Sequence, residues 1–415
     1  MFIKNISLSN FKSFKDLAID LNNLNVLIGA NASGKSNFIQ VFRFIKDLVK
    51  YGLGDAISYQ GGIEYLKNIK TPFDEPISIK ITFYPLDKEV NIFSEYESVL
   101  AKLNEVAYNI VIYPENLGTL FDYQSIRESF IIKFESFKVI AEDDRDKEKR
   151  KVLLKINKDS MIVLNKLHSK RVDYNDDELP KEIKSKIGKY INFSYLLLFN
   201  SLWDGYVKPI DDYIGIYNIN PFVFKDKTSL LTSENKLKED GSNLPVILKN
   251  ILKNSKKRKT FFYLLNFILD FIEDIKIEGF GYKDHVLLKL KESYYKDYLP
   301  SFLISEGTLS IISLIVALYF DQRKLVIIEE IERNIHPSLI SYIINMIKGD
   351  IKDKQVIITT HSPEVLKYSG LDNIFFVSRN KEGFSDIYKP ADKETVKIFL
   401  QNEIGIDELY IQNLI

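Results

Sequence analysis

The segment Gly29–Ser36 reads GANASGKS and fits the pattern G-x4-G-K-[ST]. An apolar run, LNVLI, precedes it, and a segment with apolar residues at helical spacing, SNFIQVFRFIKDLVKYG, overlaps its end and continues beyond it. The pattern therefore predicts a buried strand, a phosphate-binding loop and a helix in that order, as in P-loop proteins. An ordinary strand-to-helix turn with Gly34 as a flexible joint is the alternative, but it leaves the match of both flanks unexplained.

The residue types in this loop suit a nucleoside triphosphate. Loop amides and the helix N-terminus would hold phosphate oxygens. Lys35 would reach the β- and γ-phosphates, and the hydroxyl of Ser36 would bind Mg²⁺. The predicted nucleotide contacts are Gly29, Ala30, Asn31, Ala32, Ser33, Gly34, Lys35, Ser36 and Asn37.

A second segment, KLVIIEEIERNIHPSLI, places Glu329 and Glu330 directly after four apolar residues. Alone, the pair could be the solvated end of a strand. Beside a P-loop, an acidic residue at the end of a second buried strand is required near Mg²⁺. We therefore predict that Glu329 belongs to the magnesium shell and that Glu330 polarises the attacking water as general base.

The chain resembles the RecF/SMC/OLD-type branch of ABC-class ATPases, whose members are often described as AAA-family ATPases. The resemblance covers residues 1–85 and 235–380 well and the middle only in general layout. Its segments are LSNFKSFKDLAIDLNNLNVLIGANASGKSN, the signature-like LISEGTLSIISLIVAL, the Walker B-like IIEEIERNIHP, IITTHSP with its histidine, and LKEDGSNLPVIL.

The resemblance implies an ABC-type α/β P-loop ATPase head with two lobes. In that family, the signature turn of one subunit closes over the γ-phosphate held by the other. Ser305 and Gly307 would then act in trans, although a plain helix N-cap is the alternative for Ser305. His361 would sense the γ-phosphate or position the water, and the alternative is a satisfied histidine at a strand end.

Two further candidates rest on the resemblance alone. Gln60, in SYQGGIEYL, would be a Q-loop ligand of Mg²⁺, and Lys12, in NFKSF, would be a cation near nucleotide or DNA. A surface lysine is the alternative for Lys12.

The chain also departs from the family pattern at two places. Ala32 stands where relatives usually have a second glycine, and phosphate binding is expected to survive if φ there is negative. Arg333 adds a positive charge near the expected dimer seam, where relatives usually have asparagine.

Alternating and β-branched segments after residue 76 predict an antiparallel meander, followed by a mostly helical stretch over residues 177–273. Four apolar residues of the tail, Ile406, Leu409, Ile411 and Leu414, could engage a partner or pack back on the head, and we favour packing back. The predicted organisation is an N-terminal ATPase lobe with the P-loop (1–85), an insertion, strand-rich and then helical (86–295), a C-terminal ATPase lobe (296–390) and a tail (391–415).

Charge and residue counts exclude several classes. Lys+Arg and Asp+Glu both number 57, so no global field recruits nucleic acid, and DNA contact would need a local patch. The run Lys253–Lys259 is the best candidate patch, although a solvated helix end is favoured over it. The absence of cysteine excludes thiolate zinc sites, and four histidines make a His-based metal site improbable. With no long apolar run, we expect a cytoplasmic chain with no membrane contact.

The sequence thus predicts Mg²⁺-dependent ATP hydrolysis that drives a conformational switch in a head-to-head homodimer, serving phage defence or DNA repair. Only residues 362–415 follow His361, too few for the TOPRIM domain of OLD-type nucleases, so we expect a separately encoded effector. The alternative is a RecF-like DNA-binding clamp or loader ATPase with no separate effector. A P-loop kinase or GTPase is disfavoured, because the signature-like turn is present and the guanine motif N-K-x-D is absent.

Overall fold

The structure of the protein is a computed structural model. It describes residues 2–72, 74–83, 90–91, 97–112, 126–141, 161–166, 213–225, 229–230, 234–279, 285–351, 353–392 and 405–411. The chain forms two compact units. The first unit contains residues 1–21, 37–213 and 378–387, and the second contains residues 22–36, 214–377 and 388–415.

The described strands are, in chain order, β1 (Ile3–Phe11), β2 (Phe14–Asp20), β3 (Leu24–Ile28), β4 (Ile77–Phe83), β5 (Val90–Asn91), β6 (Glu97–Ile112), β7 (Ile126–Ala141), β8 (Met161–Lys166), β9 (Ile214–Tyr217), β10 (Ser229–Leu230), β11 (Ile272–Gly279), β12 (His285–Glu292), β13 (Leu299–Pro300), β14 (Leu325–Ile328), β15 (Gln355–Thr360), β16 (Ile374–Arg379) and β17 (Ser385–Tyr388).

The described α-helices are α1 (Lys35–Tyr51), α2 (Leu53–Tyr59), α3 (Ile63–Leu66), α4 (Phe222–Lys225), α5 (Leu244–Lys253), α6 (Ser255–Ile268), α7 (Glu306–Ile315), α8 (Pro337–Asp350), α9 (Pro363–Ser369) and α10 (Ile406–Ile411). Among the described residues, none of these helices has the length and apolar character needed to cross a bilayer.

The first unit contains a sheet in the order β2-β1-β4-β6-β7-β8, with every neighbouring pair antiparallel. Strand β1 alternates between buried and more exposed residues, as expected for a strand with one face on the core. The predicted meander is confirmed for β4, β6 and β7, and β8 extends it with a strand that the sequence did not predict. The predicted strand KVLLKI (151–156) and residues 177–212 of the predicted helical stretch lie outside the described residues.

The second unit contains a parallel sheet whose strands run in the order β16-β3-β15-β14-β9. Strands β3, β14 and β15 are buried at every position, so they read as continuous apolar runs rather than as alternating patterns. Strand β9 falls in the stretch predicted to be mostly helical. Its four residues, IGIY, are too few to distinguish a buried strand from a buried helix by periodicity.

The C-terminal helix α10 packs within the second unit. Ile406 and Leu409 are buried in one apolar cluster with Ile28, the last residue of β3. The Tyr410 ring stacks on Phe376, with centroids 5.7 Å apart. Packing back is thus confirmed for two of the four apolar tail residues. Ile411 is exposed, and Leu414 lies outside the described residues.

The basic run Lys253–Lys259 spans the end of α5 and the start of α6. All seven residues are exposed, and Asn254 caps α6 by accepting a hydrogen bond from the backbone N–H of Lys257 at 3.0 Å. Arg258 pairs with Asp274 at 2.8 Å. The segment is thus an exposed helix end, and whether it contacts nucleic acid stays a prediction.

A cluster of buried polar side chains lies beside the starts of β14 and β15. Tyr217 donates to Asp321 Oδ2 at 2.5 Å, and the guanidinium of Arg323 lies beside both residues. Lys354 is also buried, and its Nζ donates to the carbonyl oxygens of Leu318 and Asp321 at 2.6 and 2.5 Å. Burial lowers the pKa of Lys354 to about 8, although Asp321 opposes the shift.

Because Lys354 is buried, we expect the free energy of unfolding to rise at alkaline pH. Its folded pKa of about 8 lies below the ordinary value of 10.5, so between these values the unfolded chain binds more protons and the fold gains stability as pH rises. Relative to Lys354→Met, the wild-type free energy of unfolding should increase by about 2 kcal/mol between pH 8 and pH 10. Urea unfolding of both proteins at the two pH values measures this. Equal pH dependence in the two proteins would contradict it.

Candidate active site

Three neighbouring parallel strands of the second unit deliver the predicted catalytic residues to one edge of the sheet. Strand β15 lies between β3 and β14 and pairs with both. Gly29 follows β3, Glu329 follows β14 and His361 follows β15. Because the carboxyl ends of parallel strands meet at the same edge, where ligands of α/β sheets bind, the three predicted segments are brought together.

The first glycine of the P-loop is required by close packing. A Cβ on Gly29 would lie 2.0 Å from the carbonyl oxygen of Val377 and 2.8 Å from Ser33 Oγ, which no side chain can tolerate. Ala30, Asn31 and Ala32 are exposed, and so is Ser36, the first-turn residue of α1 predicted to bind Mg²⁺. The loop therefore presents its backbone and a hydroxyl to a ligand.

Ala32 has φ +61°, in the left-handed region. The condition of a negative φ, on which survival of phosphate binding was made to depend, is therefore not met. A left-handed conformation costs an L-residue about 1–2 kcal/mol relative to glycine, which explains why a glycine is usual here. Alanine still keeps its backbone N–H, so the loop holds its shape at this cost.

Lys35 is the only lysine of the P-loop and is almost fully buried. Its Nζ donates to the carbonyl oxygens of Gly29 at 2.7 Å and Ala30 at 3.0 Å, and it lies 3.4 Å from His361 Nδ1. Burial lowers the pKa of Lys35 to about 8, while the charges of Glu330 and Glu332 oppose this. Both of these acceptors are neutral carbonyl oxygens, so neither cancels the positive charge of the ammonium. That charge suits an anionic ligand such as a nucleotide phosphate.

The acidic pair is held through its backbone. The N–H of Glu329 donates to the carbonyl oxygen of Tyr217 at 2.8 Å, which extends the pairing of β14 with β9 by one residue. The N–H of Glu330 donates to Thr359 Oγ1 at 3.1 Å, and Glu330 has φ +50°. A non-glycine residue in this region is strained, and such strain concentrates at functional sites.

The carboxylate of Glu330 is engaged rather than free. Arg333 donates to Glu330 Oε2 at 2.5 Å and to Asn218 Oδ1 at 2.8 Å. The Glu330 side chain is 39% exposed, so this pair is accessible to solvent and a ligand could displace it. The sequence placed a positive charge at Arg333 but gave no indication that its partner is the predicted base.

His361 and Glu332 are joined. The backbone N–H of His361 donates to Glu332 Oε1 at 2.7 Å, and Glu332 Oε2 is buried with no hydrogen-bond partner among the described residues. Sequence reasoning missed Glu332. The available signal was a third acid, two residues after Glu330, in a segment already assigned to the site.

The signature-like turn begins helix α7. Ser305 caps this helix by accepting a hydrogen bond from the N–H of Thr308 at 3.1 Å, so the N-cap interpretation is correct for its local role. Ser305 is also exposed. A Cβ on Gly307 would lie 2.6 Å from the carbonyl oxygen of Asn334, which explains the glycine and places this turn against the segment that follows Glu330.

Three predicted residues lie in the first unit. Asn37 donates to Ser13 Oγ at 2.8 Å, and Gln60 ends helix α2. Gln60 and Lys12 line a cleft of about 440 Å³. Their roles toward nucleotide or metal stay predictions. Within the described ranges, no group of three or more His, Asp or Glu side chains forms a ready-made metal site.

The parallel sheet, its phosphate-binding loop and the acidic and histidine residues at adjacent strand ends define an ABC-class P-loop ATPase. Residues 24–367 match the family described as "AAA domain, putative AbiEii toxin, Type IV TA system". The chain belongs to this family and is an ATPase.

Two relatives show the range of proteins that the chain resembles. It is 26% identical over 335 residues to a DNA replication and repair protein RecF of Clostridium acetobutylicum, covering 64% of this chain and 90% of that protein. It is 24% identical over 413 residues to the Retron Vc95 probable ATPase of Vibrio cholerae, covering 88% of this chain and 71% of that protein.

Solved structures share the fold. An Smc head domain with an extended coiled coil, derived from Pyrococcus furiosus and bound to the C-terminal domain of ScpA, matches with a TM-score of 0.51 at 12% identity. The match covers 97% of this chain and 100% of that one. The fold class predicted from the sequence, an ABC-type α/β ATPase head, is thereby confirmed.

Proposed function

We propose that this ATPase hydrolyses ATP with Mg²⁺ and that ATP closes two copies head to head, as the switch of a phage-defence or DNA-repair module. The observation that supports it most is the meeting of the P-loop, the acidic pair and His361 at three adjacent strand ends. The proposal assigns to each residue a role that its position permits.

The residues present fit a metal–nucleotide complex. The buried Lys35 ammonium would neutralise the β- and γ-phosphates, and the exposed Ser36 hydroxyl would bind Mg²⁺ together with Glu329. Bound magnesium would supply charge neutralisation at the phosphates. Glu330 would accept a proton from the attacking water once its pair with Arg333 opens, and His361 would contact the γ-phosphate or that water.

Head-to-head closure is supported by the surface around the signature-like turn. Ser305 is exposed at the N-terminus of α7, a ten-residue helix whose dipole favours an anion. Phe302 and Leu303, next to it, are 50% and 61% exposed. A second copy that delivers its γ-phosphate to Ser305 would cover these two apolar side chains, which gains free energy from burial.

The biological role is a proposal drawn from the relatives. One relative is named for a retron and the other for DNA replication and repair. In a defence module the ATPase would act on a separately encoded effector. The RecF match, which spans most of that protein, favours the alternative of a DNA-binding clamp without an effector. The cytoplasmic location stays a prediction.

The proposed dimer predicts a separation of binding from hydrolysis. Ser305→Arg should block closure and lower ATP turnover by about 100-fold, as expected when a transition-state contact is removed. ATP affinity of each head should stay within about threefold, because the P-loop is untouched. Turnover, nucleotide titration and light scattering with and without ATP measure the three effects.

Ser255→Arg is the matched control for this experiment, since Ser255 is also exposed and also begins a helix. Loss of the Ser305 cap costs about 1 kcal/mol, so melting curves must show that both variants are folded. Wild-type protein that turns over ATP fully as a monomer would contradict the dimer.

A further inference from the structure

Glu332 connects the ends of two neighbouring strands. It belongs to the segment that follows β14, while His361 is the first residue after β15. The 2.7 Å hydrogen bond from the His361 N–H to Glu332 Oε1 joins these segments directly. Because its acceptor is a carboxylate, this bond is among the stronger ones that a backbone N–H makes.

The bond holds the backbone of His361, from which the imidazole side chain extends. His361 Nδ1 lies 3.4 Å from Lys35 Nζ, and Lys35 is in turn anchored to the carbonyl oxygens of the P-loop. Glu332, His361 and Lys35 therefore form one continuous series of contacts across the ends of three strands. Displacing the backbone of His361 would shift its ring relative to the lysine.

The second carboxylate oxygen of Glu332 lies in an unfavourable environment. Within the part of the chain that the structure describes, Glu332 Oε2 is buried without a hydrogen-bond partner, and such groups are costly and rare in native structures. Burial lowers the pKa of Lys35, and the charge of Glu332 partly opposes this shift, so the carboxylate lies within electrostatic reach of the P-loop lysine. A side chain needed only for packing would not require an acid here.

We propose that Glu332 is a positioning residue for ATP hydrolysis, which holds the His361 imidazole beside Lys35 through its hydrogen bond to the His361 N–H. This inference rests on the proposed function, because it assumes that His361 acts in turnover. It gives Glu332 a task different from that of Glu330, whose carboxylate pairs with Arg333.

Three variants separate the hydrogen bond from the charge. Glu332→Ala removes both, whereas Glu332→Gln keeps an oxygen able to accept from the His361 N–H and removes only the charge. His361→Ala removes the group through which Glu332 is proposed to act. Glu364→Gln is the matched control, since Glu364 lies three residues after His361 in the first turn of α9 and is not the acceptor of that bond.

The test measures kcat and ATP dissociation constants for the wild type, the single variants and the double variant Glu332→Ala/His361→Ala. Glu332→Ala should lower kcat by about 30- to 100-fold, the scale of an angstrom-sized misplacement. Its ATP dissociation constant should change less than about threefold. Glu332→Gln should retain kcat within about tenfold, because the acceptor oxygen remains.

The double variant decides whether Glu332 acts through His361. In the His361→Ala background, Glu332→Ala should lower kcat by no more than about threefold further, since groups that act as a unit are not additive. Full additivity would overturn the inference. So would wild-type kcat in Glu332→Ala, or equal losses in the Gln and Ala variants, which would assign the effect to charge.

Failure of the proposed function gives a different result. A wild-type protein without ATP turnover, or His361→Ala with wild-type kcat, would refute the roles on which the inference rests, before Glu332 is considered. A loss in His361→Ala without a loss in Glu332→Ala would refute only the positioning role. Melting curves of each variant distinguish these results from unfolding.

Discussion

Lys35→Ala is expected to weaken ATP binding by at least about 100-fold and to abolish turnover. Removing one partner of a buried, hydrogen-bonded charge pair costs about 3–5 kcal/mol, and each 1.4 kcal/mol is a factor of ten in affinity. In this protein the ammonium is buried, held by two P-loop carbonyl oxygens and directed to the loop that would carry the phosphates. Isothermal titration with ATP measures the loss.

The fold should survive this substitution. Burial lowers the pKa of Lys35 to about 8, which means that the charged form is held in the fold at a cost. Removing the charge from the nucleotide-free protein therefore removes a penalty along with two hydrogen bonds. Lys324→Ala, which deletes a lysine paired with Asp353, is the control. Wild-type affinity in Lys35→Ala would contradict the P-loop assignment.

Glu330→Gln is expected to bind ATP with wild-type affinity and to lower turnover by about 100-fold or more, the contribution of a general base. Glutamine has the same shape and can still accept a hydrogen bond from Arg333, so the segment after β14 should keep its conformation. Steady-state turnover and equilibrium binding, measured together, distinguish loss of the base from loss of the site.

The same variant should accumulate the ATP-bound dimer, because closure proceeds while hydrolysis does not. Light scattering after ATP addition would detect it. Glu278→Gln, an exposed acid on β11, should behave as wild type in both measurements. Glu330→Gln that turned over at the wild-type rate would show that another residue is the base.

The site residues that could be predicted from the sequence all lie in short contiguous segments. GANASGKS, the apolar run ending in Glu329 and Glu330, and IITTHSP each combine a buried strand with the residues that follow it. Once β3, β15 and β14 are neighbours in a parallel sheet, their ends must meet. Local patterns were therefore sufficient to find these residues.

The parts that the sequence did not predict depend on pairs distant along the chain or on backbone conformation. Strand β9 is recognised as a strand by its pairing with β14, and its short sequence does not indicate this. The bond from His361 to Glu332 spans 29 residues, and the contact from Arg333 to Asn218 spans 115. The left-handed φ of Ala32 is imposed by the loop and opposes the preference of alanine.

The strand order has a consequence for synthesis of the chain. Among the described strands, β3 pairs only with β15 and β16, and more than 320 residues separate Ile28 from Gln355. At about 5–20 residues per second, a ribosome needs roughly 16–65 s to make the intervening chain. During that interval the nascent chain carries a complete P-loop sequence whose preceding strand has no sheet to join. We therefore expect that nucleotide does not stabilise the emerging chain, and that ATPase activity begins only after the chain beyond Gln355 has left the ribosome.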